Sequence, residues 1–227
     1  MIPATHAEIE QVYIAAELAG CKSICITSCQ SGEGVTTLAM ALTERYLLAG
    51  YRVMFLDLNL NHPSFRELEL FDADEEQWIE HTSSMRCFTG LPSPTNSQTK
   101  LAYKNPNSLK LQIKHWLETY DRIVIDTSPL LNINRGNIPA QIVASACDYA
   151  VLSVLSCATT KHQITKAITM LSEDHIQILG TVLNSRDQPS LPEELCRQVN
   201  RLIFLPATWR RYIKYRIKQN RFLSIPI

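Results

Sequence analysis

Short runs of aliphatic and β-branched residues alternate along this chain with longer segments of helical periodicity. The runs expected to be strands are 22–28, 52–57, 122–127, 149–155 and 178–184. The segments long enough for crossover helices are 36–49, 107–120, 137–147 and 160–174. The runs are almost continuously apolar, which is typical of strands covered on both faces. The alternation therefore predicts a three-layer α/β/α fold with a mostly parallel central sheet.

The size and polarity of the chain set the expected domain organisation. With 227 residues, 45% of them hydrophobic, it is long enough to bury one substantial core. We expect an α/β domain over residues 1–205, with residues 59–105 as a polar surface excursion, followed by a basic tail at 206–227. The chain has no run of about 18 apolar residues, and its first residues lack the basic-then-apolar order of a signal peptide. These features predict a soluble, cytoplasmic protein.

Seven scattered cysteines favour reduced thiols, because several lie in apolar runs and none forms a CxxC pair. Cys21, Cys25 and Cys29 recur at every fourth position. The segment between them is predicted to be a strand, which would separate the first and last thiols by more than about 10 Å. This spacing argues against a metal site there.

The segment "SCQSGEGVTT", residues 28–37, lies where the first predicted strand passes into a helix. Such a junction directs backbone N–H groups and the positive end of a helix toward anionic oxygens. Gly32 and Gly34 permit close backbone approach, and Thr36 lies where a hydroxyl would bind the Mg²⁺ that bridges two phosphates. The segment therefore predicts a phosphate-binding loop.

Two aspartates lie at the ends of neighbouring predicted strands, Asp57 after the second and Asp126 after the third. Ligands of open α/β sheets bind beyond the carboxyl ends of strands, so both carboxylates and Thr36 are expected to converge on one magnesium ion. The alternative is that each aspartate only caps the turn after its strand.

Three ordered segments resemble those of a known family. "ITSCQSGEGVTTLAMAL" is similar to a Walker A segment, "GYRVMFLDLNLNHPSF" to a Walker A′ strand, and "YDRIVIDTSPLL" to a Walker B strand. In this order they resemble the MinD/ParA-type P-loop ATPases of the SIMIBI class, and within them the bacterial tyrosine kinases of capsule and exopolysaccharide biosynthesis. The resemblance spans roughly residues 8–186.

The resemblance implies a domain that binds ATP or ADP with Mg²⁺ and acts beside a membrane polysaccharide co-polymerase or another export component. It implies a cytoplasmic location, or a peripheral one at the inner face of the cell membrane. The implied magnesium ligands are Thr36, Asp57 and Asp126, with Asp57 also the implied catalytic carboxylate. The implied nucleotide-binding residues are Gly32, Glu33, Gly34, Val35, Thr36, Thr37 and, near the adenine, Asn184.

The chain departs from the family pattern at functional positions. Val35 replaces the lysine that contacts the phosphates, and Asn59 replaces the second Walker A′ aspartate. In the family's N-terminal oligomerisation motif, Tyr13 and Ala16 replace the two arginines that follow Glu10, which leaves homo-oligomer formation open. A hydrogen bond to a charged group contributes roughly 1.5–3 kcal/mol, so loss of the lysine should weaken triphosphate binding by about ten- to a hundredfold.

From these departures we expect a regulatory P-loop protein, a pseudo-ATPase or pseudokinase with weak or no nucleotide hydrolysis, and three interpretations of its loop remain open. The loop is a structural relic, or it binds nucleotide without efficient chemistry, or it supports an active kinase with an atypical loop. A positioning factor of the MinD/ParA type is a further alternative, for which the basic tail is the only support.

Charge is unevenly distributed along the chain. Residues 196–227 contain eight Lys and Arg residues and no Asp or Glu, although the net charge of the whole chain is zero. A basic amphipathic helix with an apolar stripe at Trp209, Ile213 and Ile217 is expected from Pro206 onward. Residues 206–221 would contact an anionic membrane surface, pack on the protein, or dock on the acidic stretch at 67–80. Nucleic-acid binding is not expected, because the preceding body is acidic.

Overall fold

The computed structural model describes residues 2–68, 77–132, 134, 136–186, 191–202 and 205–220. The chain divides into two units, residues 1–184 and 185–227. The strands of the described residues all lie in the first unit: β1 (Ser23–Ser28), β2 (Val53–Leu58), β3 (Phe65–Leu68), β4 (Trp78–His81), β5 (Cys87–Leu91), β6 (Arg122–Thr127), β7 (Tyr149–Leu155) and β8 (Ile178–Asn184). They form one sheet in the order β3-β4-β5-β2-β6-β1-β7-β8.

The six strands from β5 to β8 in this order pair in parallel, whereas β3 and β4 are added antiparallel at one edge. The helices of this unit are α1 (Ala7–Leu18), α2 (Val35–Leu48), α3 (Ser97–Tyr103), α4 (Pro106–Trp116), α5 (Ala140–Ala146) and α6 (Lys161–Glu173). The five predicted strands are confirmed as β1, β2, β6, β7 and β8, and the four predicted helices as α2, α4, α5 and α6. The predicted α/β fold with a mostly parallel sheet is therefore confirmed.

Two buried apolar clusters cover the opposite faces of this sheet. Along β1, Ile24 and Ile26 belong to one cluster, and Cys25 between them belongs to the other. This alternation follows from the two-residue period of a strand. All seven cysteines are free thiols, and burial raises the pKa of the Cys25 thiol to about 12.

The prediction that residues 59–105 form a surface excursion is wrong, because this region contains β3, β4, β5 and α3. Phe65 and Phe88 pack against Phe55 of β2 with ring centroids 4.6 and 5.6 Å away. A Cβ atom at Gly90 would lie 1.9 Å from the carbonyl oxygen of Phe55, so glycine permits the pairing of β5 with β2. Glu80 is buried and pairs with Arg66 rather than belonging to an acidic surface. Residues 69–76, which hold most of the predicted acidic stretch, lie outside the described residues.

The second unit contains α7 (Leu191–Arg201) and α8 (Ala207–Gln219). The Lys214 ammonium donates to Asn200 Oδ1 over 3.0 Å, which joins the two helices. Ile213 and Ile217 of the predicted apolar stripe are half-buried, but Trp209 is 64% exposed. The predicted helix is thus observed, while the division of the chain after residue 205 stays a prediction. Within the described part of the chain, no helix has both the length and the apolar composition needed to cross a bilayer.

Candidate functional site

The loop between β1 and α2 has the backbone conformation of an anion-binding turn. Gly32 and Gly34 have φ angles of 85° and 90°, in the left-handed region that favours glycine, and Gly34 caps the start of α2. Val35, Thr36 and Thr37 form the first turn of this helix. The first backbone N–H groups of a helix have no partner within the helix and attract anions.

Val35 points into the protein rather than toward a ligand. Its side chain is 7% exposed and belongs to the same apolar cluster as Leu38 and Leu42 of α2. A branched apolar side chain at this position is more stable buried than beside charged oxygens. The residue where the family carries its phosphate-contacting lysine is therefore part of the core.

Thr36 and Asp126 contact each other directly. The Thr36 hydroxyl donates to Asp126 Oδ2 over 2.6 Å, and Asp126 lies beside Asp57 in the register of β6 and β2. Burial raises the pKa of Asp126 well above its ordinary value, and the negative charge of Asp57 raises it further. Burial also raises the pKa of Asp57.

These residues fit a divalent cation. Asp126 Oδ1 is buried and has no hydrogen-bond partner among the described residues, which leaves one carboxylate oxygen available as a ligand. The described residues contain no group of three His, Cys, Asp or Glu side chains arranged for a metal ion. Mg²⁺ commonly takes one or two carboxylates together with water and substrate phosphates, so the two aspartates and Thr36 match that pattern.

Asp57 also organises the loop that follows β2. Its two carboxylate oxygens accept hydrogen bonds from the backbone N–H groups of Asn59, at 2.9 Å, and Ser64, at 3.0 Å. The Asn59 side chain accepts from the His62 N–H and the Ser128 hydroxyl, at 3.3 and 3.4 Å. Asp57 thus caps a turn and lies beside Asp126, and its role as a magnesium ligand stays a prediction.

Glu33 stabilises the loop between β1 and α2 from within the protein. Its buried carboxylate accepts the Cys29 N–H over 2.8 Å and the Thr159 hydroxyl over 2.5 Å. Its carbonyl oxygen accepts the Ser153 hydroxyl over 2.7 Å and the Asn184 amide over 3.1 Å. Sequence reasoning missed Ser153 and Thr159, and the only signal was the hydroxyl of Ser153 within an otherwise apolar strand.

Asn184 lies against the loop itself. A Cβ atom at Gly34 would be 2.5 Å from Asn184 Nδ2, so the amide packs on the glycine. The structure thus brings together the loop, Asp57, Asp126 and Asn184 at the carboxyl end of the parallel strands.

The positions of the N-terminal oligomerisation motif make contacts within the chain. Arg45 of α2 donates to both carboxylate oxygens of Glu10, at 2.5 and 2.9 Å. The Arg45 guanidinium also lies 3.8 Å from the centre of the Tyr13 ring, and Ala16 is fully buried. Glu10 therefore already has a partner in its own chain.

Comparison with characterised proteins identifies tyrosine-protein kinases as homologues. The chain is 27% identical to tyrosine-protein kinase YwqD of Bacillus subtilis over 179 residues, which covers 73% of each protein. It is 28% identical to tyrosine-protein kinase CpsD of Streptococcus pneumoniae over 181 residues, covering 73% of this chain and 77% of CpsD. No protein-family model matches the chain.

Solved structures share the fold. The chimerical protein CapA2B2 superposes with a TM-score of 0.58 at 21% identity, covering 77% of this chain and 80% of that protein. The kinase domain of the Escherichia coli tyrosine kinase ETK superposes with a TM-score of 0.58 at 15% identity, which covers 78% of this chain and 75% of that domain's chain. The septum site-determining protein MinD of Pyrococcus horikoshii, complexed with Mg-ADP, superposes with a TM-score of 0.54 at 19% identity, which covers 74% of this chain and 72% of MinD. These similarities place the chain among P-loop α/β folds.

Proposed function

We propose that this chain, a homologue of the bacterial tyrosine-protein kinases, is a regulatory P-loop protein that binds Mg-ATP or Mg-ADP weakly and turns it over poorly or not at all. The observation that carries this proposal is the burial of Val35 at the first position of α2. Stabilisation of charge on the transferred phosphoryl group is the main task in phosphoryl transfer, and this position supplies none of it.

The retained residues support nucleotide binding. The loop from Gly32 to Thr37 would hold phosphate oxygens through its backbone N–H groups. Thr36, Asp57 and Asp126 would hold Mg²⁺, which neutralises phosphate charge when it is bound. Asn184, held against Gly34, would lie beside the bound nucleotide.

The role proposed for such a protein is control of a polysaccharide-export system. Its partner would be a membrane polysaccharide co-polymerase or another export component, met at the inner face of the cell membrane. This part of the proposal rests on the family resemblance and on the retained order of the three motifs.

Contact with an anionic membrane is a second candidate function, because α8 exposes both aromatic and basic side chains. Trp209 and Tyr212 are more than half exposed, and Arg211 between them is also exposed. Aromatic rings favour the bilayer interface, and each basic residue near an anionic leaflet contributes about 1 kcal/mol.

Sedimentation with phosphatidylglycerol vesicles tests this second function. We expect the natural chain to sediment with them and the Trp209→Ser, Tyr212→Ser double variant to remain in the supernatant. Gln198→Ser on α7 is the matched control, because it places serine at another exposed position of the same unit and should leave sedimentation intact. Equal sedimentation of all three proteins would reject the role of α8.

A turnover assay tests the first function. Purified protein is incubated with Mg-ATP, and both phosphate release and phosphotyrosine are measured for the natural chain, Val35→Lys and Val35→Met. Methionine is the matched control because it is long but uncharged. We expect negligible turnover by the natural chain and by Val35→Met, and a gain only with lysine. Robust phosphotyrosine formation by the natural chain, abolished by Asp57→Ala, would contradict the proposal.

A further inference from the structure

A cavity lies at the carboxyl end of the parallel strands, within the first unit. It has a volume of about 1060 Å³ and is formed by the loops that follow β2, β5 and β6 together with the edge strand β3. Its lining includes none of the residues 28–37 or Asn184. The cavity is therefore separate from the loop that is proposed to hold phosphate.

The lining of this cavity contains many groups that both donate and accept hydrogen bonds, set among apolar side chains. Five side-chain carboxamides contribute to it, from Asn61, Gln77, Asn96, Asn134 and Asn137. Four hydroxyl groups join them, from Ser93, Thr95, Thr99 and Tyr103. The lining also presents apolar surface, as small-molecule pockets usually do, so it fits a ligand that has both hydrogen-bonding groups and C–H surfaces.

Two carboxamides hold one wall of the cavity in a fixed position. The Asn134 amide donates to Asn61 Oδ1 over 3.0 Å, which connects the loop after β6 to the loop after β2. Asn134 Oδ1 accepts the N–H groups of Gly136 and Asn137, each over 2.9 Å. These bonds set the orientation of the Asn134 amide and preorganise the wall.

Asn137 is the most informative lining residue. It is 4% exposed, and its Nδ2 has no hydrogen-bond partner among the described residues. Buried polar groups are almost always paired in folded proteins. Because Asn137 also lines the cavity, its unpaired amide group indicates a ligand that accepts a hydrogen bond there.

The charges of the lining do not favour an anion. Lys100 and Glu67 bring opposite charges to the same cavity, and Arg66 is paired with Glu80. Tyr103, Pro63 and Leu91 add apolar surfaces that can pack against C–H groups. The lining thus combines neutral hydrogen bonding with apolar contact.

We propose that this cavity binds a neutral saccharide of at least two sugar units. Sugar hydroxyls donate and accept at the same atom, which matches carboxamides and hydroxyls better than charged groups. The volume exceeds the usual upper range of about 1000 Å³ for drug-sized ligands, which suits more than one ring. This inference does not depend on nucleotide binding.

Nuclear magnetic resonance of the ¹⁵N-labelled full chain tests the proposal. The labelled chain is titrated with maltose, cellobiose, lactose and chitobiose, and for comparison with the uncharged peptide acetyl-Ala-Asn-Ala-amide. No nucleotide is present in any titration. We expect saturable shifts of the Asn134 and Asn137 signals with at least one disaccharide. Asn137→Leu should weaken that binding by about tenfold or more, equivalent to roughly 1.4 kcal/mol.

Matched variants keep the test informative. Asn107 is exposed on α4 and outside the cavity, so Asn107→Ala should bind like the natural chain. If Asn137→Leu does not fold, exposed Gln77→Ala replaces it and should also weaken binding. The proposal is overturned if no disaccharide gives saturable shifts, if only the peptide does, or if the cavity variants bind as tightly as Asn107→Ala.

Discussion

Thr36 donates its hydroxyl to Asp126 over 2.6 Å, so the first turn of α2 is bonded directly to the end of β6. The same two residues are expected to approach a magnesium ion in a nucleotide complex. The proposed magnesium ligands thus lie together, whereas the position one residue before Thr36 is occupied by buried Val35. The functional proposal rests on this contrast between the retained carboxylates and hydroxyl and the missing cationic side chain.

The paired carboxylates should make the stability of the protein depend on magnesium. Without Mg²⁺, Asp126→Asn should raise the free energy of unfolding, because ionisation of the Asp126 carboxyl is disfavoured by burial and by the neighbouring Asp57 charge and the amide carries no charge. Urea unfolding with and without MgCl₂ measures this. Magnesium should stabilise the natural chain and the exposed control Asp174→Asn, but not Asp126→Asn. An equal response of all three proteins would contradict the proposed cation site.

The Glu33 carboxylate should stabilise the loop by accepting two hydrogen bonds. Glu33→Gln places an amide where the Cys29 N–H and the Thr159 hydroxyl both donate, and should cost roughly 1–3 kcal/mol of stability. A double-mutant cycle with Thr159→Val, followed by chemical denaturation, measures the coupling. Additive effects of the two substitutions would show that this hydrogen bond has no energetic role.

The two loop glycines should differ in their tolerance of alanine. Both have positive φ, but only at Gly34 would a Cβ atom collide with Asn184. Gly32→Ala should cost only the backbone strain of about 1–2 kcal/mol. Gly34→Ala should lower the stability further, because it adds the collision with Asn184 to the same strain. Repeating both substitutions in an Asn184→Ala background, by thermal unfolding, should remove the difference. A difference that persists would mean that another contact causes it.

His81 should make stability fall in mildly acidic solution. Burial lowers its pKa below the ordinary 6.5, and the charge of Arg86 lowers it further. As pH falls, the unfolded chain therefore binds a proton at His81 before the folded chain does. The contribution of neutral His81 to the free energy of unfolding is thus present above pH about 6.5 and is lost as pH falls through the pKa of His81 in the folded protein. His81→Gln should flatten the pH dependence of urea midpoints, whereas the exposed His162→Gln should not. Identical pH profiles for the natural chain and His81→Gln would exclude this contribution.

The sequence predicted β1, β2, β6 and β7 because each is a largely apolar run whose residues are almost all buried. It predicted β8 from the same pattern, although several residues of β8 are exposed. It missed the parallel strand β5, "CFTGL", and the antiparallel strands β3 and β4, "FREL" and "WIEH", because these short strands mix polar and apolar residues. Their burial depends on tertiary partners, including the pairing of Arg66 with Glu80 and the packing of Phe65 on Phe55. Neither contact is visible in a local pattern.

At the site, the loop and the two aspartates were predictable because strand ends converge in a parallel sheet. The hydrogen bonds of Glu33 with Thr159 and Ser153 were not, since they join residues more than a hundred positions apart. The cavity lined by carboxamides was also not predictable, because its walls come from separate loops, from strand β3 and from helix α3.

Calorimetric titration of Mg-ATP into the natural chain, Val35→Lys and Val35→Met tests the central claim most directly. We predict weak, saturable binding by the natural chain and by Val35→Met, and binding about ten- to a hundredfold tighter with lysine. Thermal unfolding establishes beforehand that the three proteins are equally folded. No binding by the natural chain, or no gain from lysine over methionine, would contradict the claim that the site binds nucleotide and lacks only this one charge.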